Sequence, residues 1–181
     1  SQPSEVATRN DPAIQNRLQR LQMSNPEAYK AITQFYAAQE RYERVADATY
    51  REIMGLLESG LPIEMIVMLV MLKLTERHEE KFQLKVKELG VAEHLERINQ
   101  PIKEELDRKL KAGEISSDQY AKLSREQLIL PADFGLRSKS TTILMQEMQI
   151  DMQYFMQIMQ ALAAILRQIQ DLVMTPIRNI R

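Results

Sequence analysis

The side chains that could do chemistry in this chain begin with its two histidines, His78 and His94, set among eleven methionines and no cysteine. Helical di-metal sites use Glu-x-x-His, because a three-residue step puts both ligands on one helix face. The residues three before the two histidines are Thr75 and Val91, so neither histidine starts that motif. His-Glu-x-x-His is also absent, and with it the zinc-hydrolase arrangement. His78 falls on an apolar stripe among Glu76, Glu79 and Glu80, a setting expected to give a half-buried imidazole paired to a carboxylate. Without Cys there are no disulfides, no thiolate metal ligands and no Cys nucleophile.

Thioethers bind Cu(I), and one Met with one His can hold haem iron. The methionines here recur at the spacing of a helix face, which is how methionine fills cores and adaptable docking surfaces. No metal and no cofactor is expected. Nucleophilic or acid-base catalysis would need a positioned base beside Ser, Thr or Cys, or a pair of carboxylates set in an apolar stretch. No nucleophile elbow, glycine-rich phosphate loop or such carboxylate pair occurs, so the chain is not expected to be an enzyme. Glu40, Glu43 and Asp47 interleave with Arg41, Arg44 and Arg51, a solvated face of weak local ion pairs.

Lys and Arg total 24 against 25 Asp and Glu, in 181 residues. A balance this close gives no field for nucleic acid or an anionic membrane. The longest apolar run, Ile63 to Leu72, is broken only by Glu64. As a helix it would span roughly 15 Å, about half a bilayer's hydrocarbon thickness, so no transmembrane span is expected. The chain begins Ser1-Gln2-Pro3, a start compatible with removal of a signal peptide. Lack of cysteine suits a reducing or an oxidising compartment equally.

The elements that must position these residues read as all-α. Asp11-Pro12 and Asn25-Pro26-Glu27 each combine a cap with a first-turn proline. They predict a short helix to Ser24 and a long one from Pro26 to Glu58. In the latter, Ala28, Ile32, Phe35, Tyr42, Ala46, Ile53 and Leu56 form an alternating 4-3 stripe interrupted by Gln39 and Thr49, a coiled-coil spacing. Ser59-Gly60-Leu61-Pro62 stops that helix and starts another, expected to end at Leu89 with Gly90 as its cap. The apolar first half of this helix, including Met65, Met68 and Met71, is expected to be buried all round. Short charged helices follow, at 91–98, 101–112 and 117–127, and then a non-helical crossing from Leu128 to Leu136.

A last long helix is expected from Ser138 to Thr175, ended by Pro176 and spanning roughly 55 Å. Met145, Met148, Met152, Phe155, Met159, Leu162, Leu166, Ile169 and Val173 occupy every 3-4 step of it. Leu144, Ile158, Ile165 and Leu172 lie beside that seam. The remaining strip is narrow and nearly uncharged: Gln146, Gln149, Gln153, Gln157, Gln160 and Gln168. A helix greasy over so much of its circumference should sit at the centre of the fold or dock a partner. The expected fold is an elongated antiparallel helical bundle or coiled coil with three long helices. Residues 1–90 would supply a short helix and a long hairpin, 91–137 a short-helix insert with the crossing, and 138–181 the helix that packs on the hairpin.

Gly113-Glu114-Ile115 followed by Tyr120 resembles the two-helix unit of short C-terminal oligomerisation domains, which implies a helical hairpin there. The Gln- and Met-rich apolar helix near the C-terminus, the earlier apolar helix and the lack of Cys resemble bacterial appendage-associated proteins. Two types share this character: spirochaete flagellar-coiling, sheath-associated proteins and the filament subunits of type III secretion. The chain departs from the second type, whose helices are separated by a larger polar insert. The resemblance implies a periplasmic or extracellular location and a structural role. The expected function is therefore non-enzymatic assembly, by self-association or within a larger filament, through the Met145–Val173 seam and the Met65, Met68 and Met71 face. Two alternatives stand beside it: a secretion chaperone or adaptor with a Met-rich groove, and a ligand or metal carrier with its site in the bundle core.

Overall fold

The computed structural model describes residues 9–178, with side chains to residue 174. Among the described residues the regular structure is helical throughout. Helix α1 is Pro12–Ser24, and the Asp11 carboxylate accepts from the Ala13 amide (3.0 Å). Asn25 closes α1 through its amide to the Leu21 carbonyl (2.7 Å). It also caps α2, Pro26–Leu57, by accepting from the Ala28 amide (3.1 Å). One residue thus serves two helix ends, which places them side by side without a longer linker. Gly60, at φ 73°, turns the chain into α3.

Helix α3 is Ile63–Lys111, 49 residues without interruption. The sequence predicts a cap at Gly90 and separate short helices beyond it. Gly90 is instead an interior helical residue, and positive φ values occur only at Gly60, Gly113 and Gly135 among the described residues. Pro101 also lies inside the helix, where it removes one backbone hydrogen bond and crowds the carbonyl of Arg97. Tertiary packing overrides both breakers. Val91, Leu95, Asn99 and Leu106 are buried along one continuing face, so ending the helix would expose that face.

Gly113 (φ 73°) reverses the chain into α4, Ser117–Gln127. Ser116 and Gln119 form a reciprocal capping box at its start, and the Tyr120 hydroxyl donates to Asp107 (2.7 Å). The hairpin expected here is therefore present, built on the end of a long helix. The crossing segment contains a 3₁₀ turn, Pro131–Phe134. Helix α5 is Thr141–Arg178, and Ser140 accepts from the Ile143 amide (3.2 Å). It starts three residues later than the sequence suggested. It also passes Pro176 rather than stopping there, since a proline in a final turn forfeits a single hydrogen bond.

The chain divides into two compact units. The first joins the residues up to Ala37 with Lys87–Leu144. Ile14, Leu18 and Leu21 of α1, Ala28, Ile32 and Phe35 of α2, Val91, Leu95 and Leu106 of α3, and Phe134 and Leu144 are all buried there. Polar anchors fix its non-helical part. Asn99 donates to the Ile129 carbonyl (2.8 Å) and accepts from the Ile129 amide (2.9 Å). The Tyr36 hydroxyl donates to the Phe134 carbonyl, and burial pushes its pKa up to about 12, with the nearby Arg9 pulling the other way. Arg9 lies over the Tyr36 ring (4.8 Å) and donates to the Tyr36 carbonyl (2.8 Å).

The second unit joins Ala38–Val86 with the residues from Met145 onward. Arg41 pairs with Glu80 (2.9 Å) and Glu52 with Lys73 (2.8 Å), so α2 and α3 run antiparallel. Lys81 pairs with Asp151 (3.2 Å) and Lys85 with Glu147, which sets α3 and α5 antiparallel as well. Within this unit the described residues that are buried are Gln39, Thr49, Ile66, Asp151 and Leu162. The first unit has an apolar interior; the second has a sparse one.

The continuous helix can be tested at Gly90. A Cβ added there meets nothing within 4 Å, so Gly90→Ala should stabilise the protein by about 0.5–1 kcal/mol in denaturant unfolding. A glycine acting as a left-handed cap would respond oppositely, and destabilisation would mean that α3 ends there.

Candidate functional site

Helix α5 buries one stripe and exposes another. The inward stripe is Leu144, Met148, Asp151, Phe155, Ile158, Leu162, Ile165 and Ile169, all buried or half-buried. These steps alternate 4 and 3, the spacing that keeps a row facing a neighbouring helix. Of the seam read from the sequence, Met148, Phe155, Leu162 and Ile169 lie on this inward stripe. Met145, Met152, Met159, Leu166 and Val173 are exposed. Leu162 is 6% exposed and Met152 47%, although they belong to the same 3-4 series. The two halves of that series lie roughly 40–60° apart around the helix, the angle of a four- or three-residue step. The glutamines from Gln146 to Gln168 are exposed, as their strip implied.

On α3, Met65 is exposed while Met68 and Met71 are half-buried. The expectation that the start of this helix is buried all round is not met: Ile63, Met65, Val67 and Leu72 are exposed, and only Ile66 is buried. The adjoining end of α2 and the turn add exposed Tyr50, Met54, Leu57 and Leu61. Of the large apolar side chains found exposed, all but Met23, Leu130 and Ile143 belong to the second unit. On α3 and α5 of that unit these apolar side chains stand in solvent. Such surface is costly to hydrate, at about 25 cal/mol per Å², and patches of this kind mark interaction sites.

A cleft of about 450 Å³ opens between α3 and α5 on the same unit. Phe82, Met152 and Phe155 form its apolar wall, and His78, Glu79 and Asp151 its polar one. Asp151 sits within the inward stripe, 7% exposed. One of its oxygens, Oδ1, takes the Lys81 ammonium (3.2 Å); Oδ2 is buried with no hydrogen-bond partner. His78 Nδ1 is likewise buried and unpartnered, so the carboxylate pairing expected for it is not formed at that nitrogen. The carboxylate whose charge acts on the imidazole is Asp151 of α5. Burial lowers the His78 pKa, and the charges of Lys81 and Arg77 lower it further, with Asp151 acting in opposition.

Sequence reasoning missed Asp151. The available signal was a carboxylate on a 4-3 stripe of an otherwise uncharged stretch between Glu147 and Arg167. Among the described residues no group of three or more acidic or histidine side chains could hold a metal ion. No helix among them is long and apolar enough to cross a membrane. Comparison with protein-family models, with curated proteins and with solved structures finds no match.

Acidification should expose the His78 environment. Its folded pKa lies below the usual 6.5, so below pH 6.5 the unfolded chain binds a proton that the folded chain does not. Stability is therefore fully present above pH 6.5 and is lost as pH falls from there towards the folded value. His78→Gln should flatten the thermal-melting profile across that window. A loss of melting temperature identical in the variant would show that His78 is not held neutral.

Proposed function

We propose that the chain is a non-enzymatic assembly protein whose second unit docks other helical subunits, copies of itself first among them. The observation that carries this reading is the contrast between the two units. Among the described residues the first leaves only Met23, Leu130 and Ile143 of its large apolar side chains exposed. The second buries Ile66 and Leu162 and leaves Met145, Met152, Met159, Leu166, Val173, Ile63 and Met65 in water. An antiparallel coiled-coil bundle of α2, α3 and α5 segments is the arrangement this proposal assumes, left short of a neighbour. The polar rim is glutamine rather than a field of like charge, so two such faces can approach without repulsion. Methionine's unbranched, polarisable chain suits a surface that must fit another irregular helix.

The resemblance to flagellar sheath-associated proteins and secreted filament subunits points the same way, towards a filamentous assembly outside the cytoplasm. The reading calls for no nucleic acid, no cofactor and no membrane span. A chaperone or adaptor groove draws on the same methionines, and the stoichiometry of the complex separates the two.

Sedimentation velocity over a hundredfold concentration range is the test. The wild type should gain mass with concentration, while Met159→Glu with Leu166→Glu should remain monomeric and keep its helical signal and melting temperature. Leu162→Asp should instead unfold the chain, because an unpaired buried charge costs about 3–5 kcal/mol. A double variant that associates as the wild type does would remove this face from the interface. A fixed small oligomer at every concentration would favour the adaptor.

A further inference from the structure

The α3–α5 cleft contains something that the exposed stripe does not: two buried polar atoms from facing helices with nothing bonded to them. We propose that this cleft binds a small organic cation, an ammonium, amidinium or guanidinium group carried on a compact apolar body. The inference goes beyond the assembly role and does not rest on it.

Buried carboxylate oxygens are rarely left unsatisfied, since each orphan costs about 1–3 kcal/mol and more when charged. Lys81 occupies Oδ1 of Asp151 (3.2 Å), and Oδ2 remains without a partner. The side chain of Asp151 is 9% exposed, so bulk water does not reach this oxygen freely. An ionised carboxylate only accepts, and its occupant must therefore bring an N–H or O–H donor. His78 Nδ1 is the second orphan, on an imidazole whose pKa burial lowers. A neutral imidazole carries its proton on one of the two ring nitrogens, so Nδ1 accepts in one tautomer and donates in the other. The carboxylate sets the requirement: the occupant must bring at least one donor to Oδ2.

Charge and shape narrow the class. Glu79 and Asp151 line the cleft, and the carboxylate of Glu80 beside them is already paired to Arg41 (2.9 Å). An anion would meet the carboxylates of Glu79 and Asp151. A metal ion lacks a third ligand among the described residues. Phe82, Phe155 and Met152 offer π faces and a thioether, which attract an organic cation and bury its hydrocarbon. The volume, about 450 Å³, falls within the roughly 300–1,000 Å³ of small-molecule sites. The cation can come from a free amine or from the basic side chain of a docked peptide; the chemistry at Asp151 is shared.

The test is an NMR titration of the full chain, reading the Met152 methyl and the His78 ring. The probes are 2-phenylethylammonium and benzamidinium, with neutral 2-phenylethanol as the isostere and acetyl-Phe-Arg-amide as the peptide form. Saturable shifts should appear with the cations, at least about tenfold tighter than with the alcohol, reflecting a charge-assisted bond. Asp151→Asn should weaken both cations about tenfold and leave the alcohol unchanged. Met152→Arg, at an exposed position of the cleft lining, should bring its own guanidinium to the site and abolish cation binding, which covers the case in which the Asp151 variant fails to fold. Tighter binding of the peptide form would assign the source to a partner chain, and tighter binding of the free amines to a small molecule. Absence of saturation, equal affinity for the alcohol, or cation binding that survives in a folded Asp151→Asn would overturn the proposal. So would a structure at saturating cation showing only water between Oδ2 and Nδ1.

Discussion

A helix can bury only the arc that its neighbours cover, and α5 is apolar over much more than one arc. Every feature of the second unit depends on that mismatch. The antiparallel pairs Lys81–Asp151 and Lys85–Glu147 hold α3 against one side of α5. That fixes the inward stripe from Leu144 to Ile169 and so sends the rows of Met145, Met152, Met159, Leu166 and Val173 into solvent. The ion pairs themselves add little energy where they are exposed. Their value is register, because a slide of α5 by one residue along α3 would break both pairs and rotate the stripe away from its partner.

The same register places a charge where packing alone would place a leucine. Asp151 occupies an inward position between Met148 and Phe155, and Lys81 supplies its counter-charge from α3. Pairs of this kind add little net stability compared with apolar residues of the same size, and their best-attested use is to specify one alignment. Here the pair leaves one oxygen over, beside an equally unbonded imidazole nitrogen. The first unit follows the opposite rule. Its polar groups at Asn99 and Tyr36 are matched to backbone partners in the crossing segment, and its buried Arg9 donates to the Tyr36 carbonyl.

Much of the helical architecture was legible in the sequence, because caps and periodicity are local. Asp11-Pro12 and Asn25-Pro26 mark helix starts that the structure contains, and Gly60 and Gly113 mark turns. Gly90 and Pro101 misled for the converse reason. Their local preference for a break is outweighed by Val91, Leu95, Asn99 and Leu106, whose burial depends on α1, α2 and the crossing segment far away in sequence. The site was only half legible. Spacing identified Met148, Phe155, Leu162 and Ile169 together with Met145, Met152, Met159, Leu166 and Val173 as apolar rows. Which row turns inward is decided by ion pairs to α3 that no periodicity reveals. Asp151 could have been noticed as the carboxylate on that stripe, but its unbonded oxygen is a fact of three dimensions.

The account depends most directly on the outward methionines being wet in the isolated chain and covered on association. Methyl NMR of the methionines, with a soluble paramagnetic agent and a dilution series, reads both states at once. At low concentration Met145, Met152 and Met159 should be strongly broadened and Met148 much less. As concentration rises, the outward set should become protected. Outward methionines shielded at every dilution would show that the row is internal core, and outward methionines still broadened at high concentration would show that nothing docks there. Either result would contradict the assembly function.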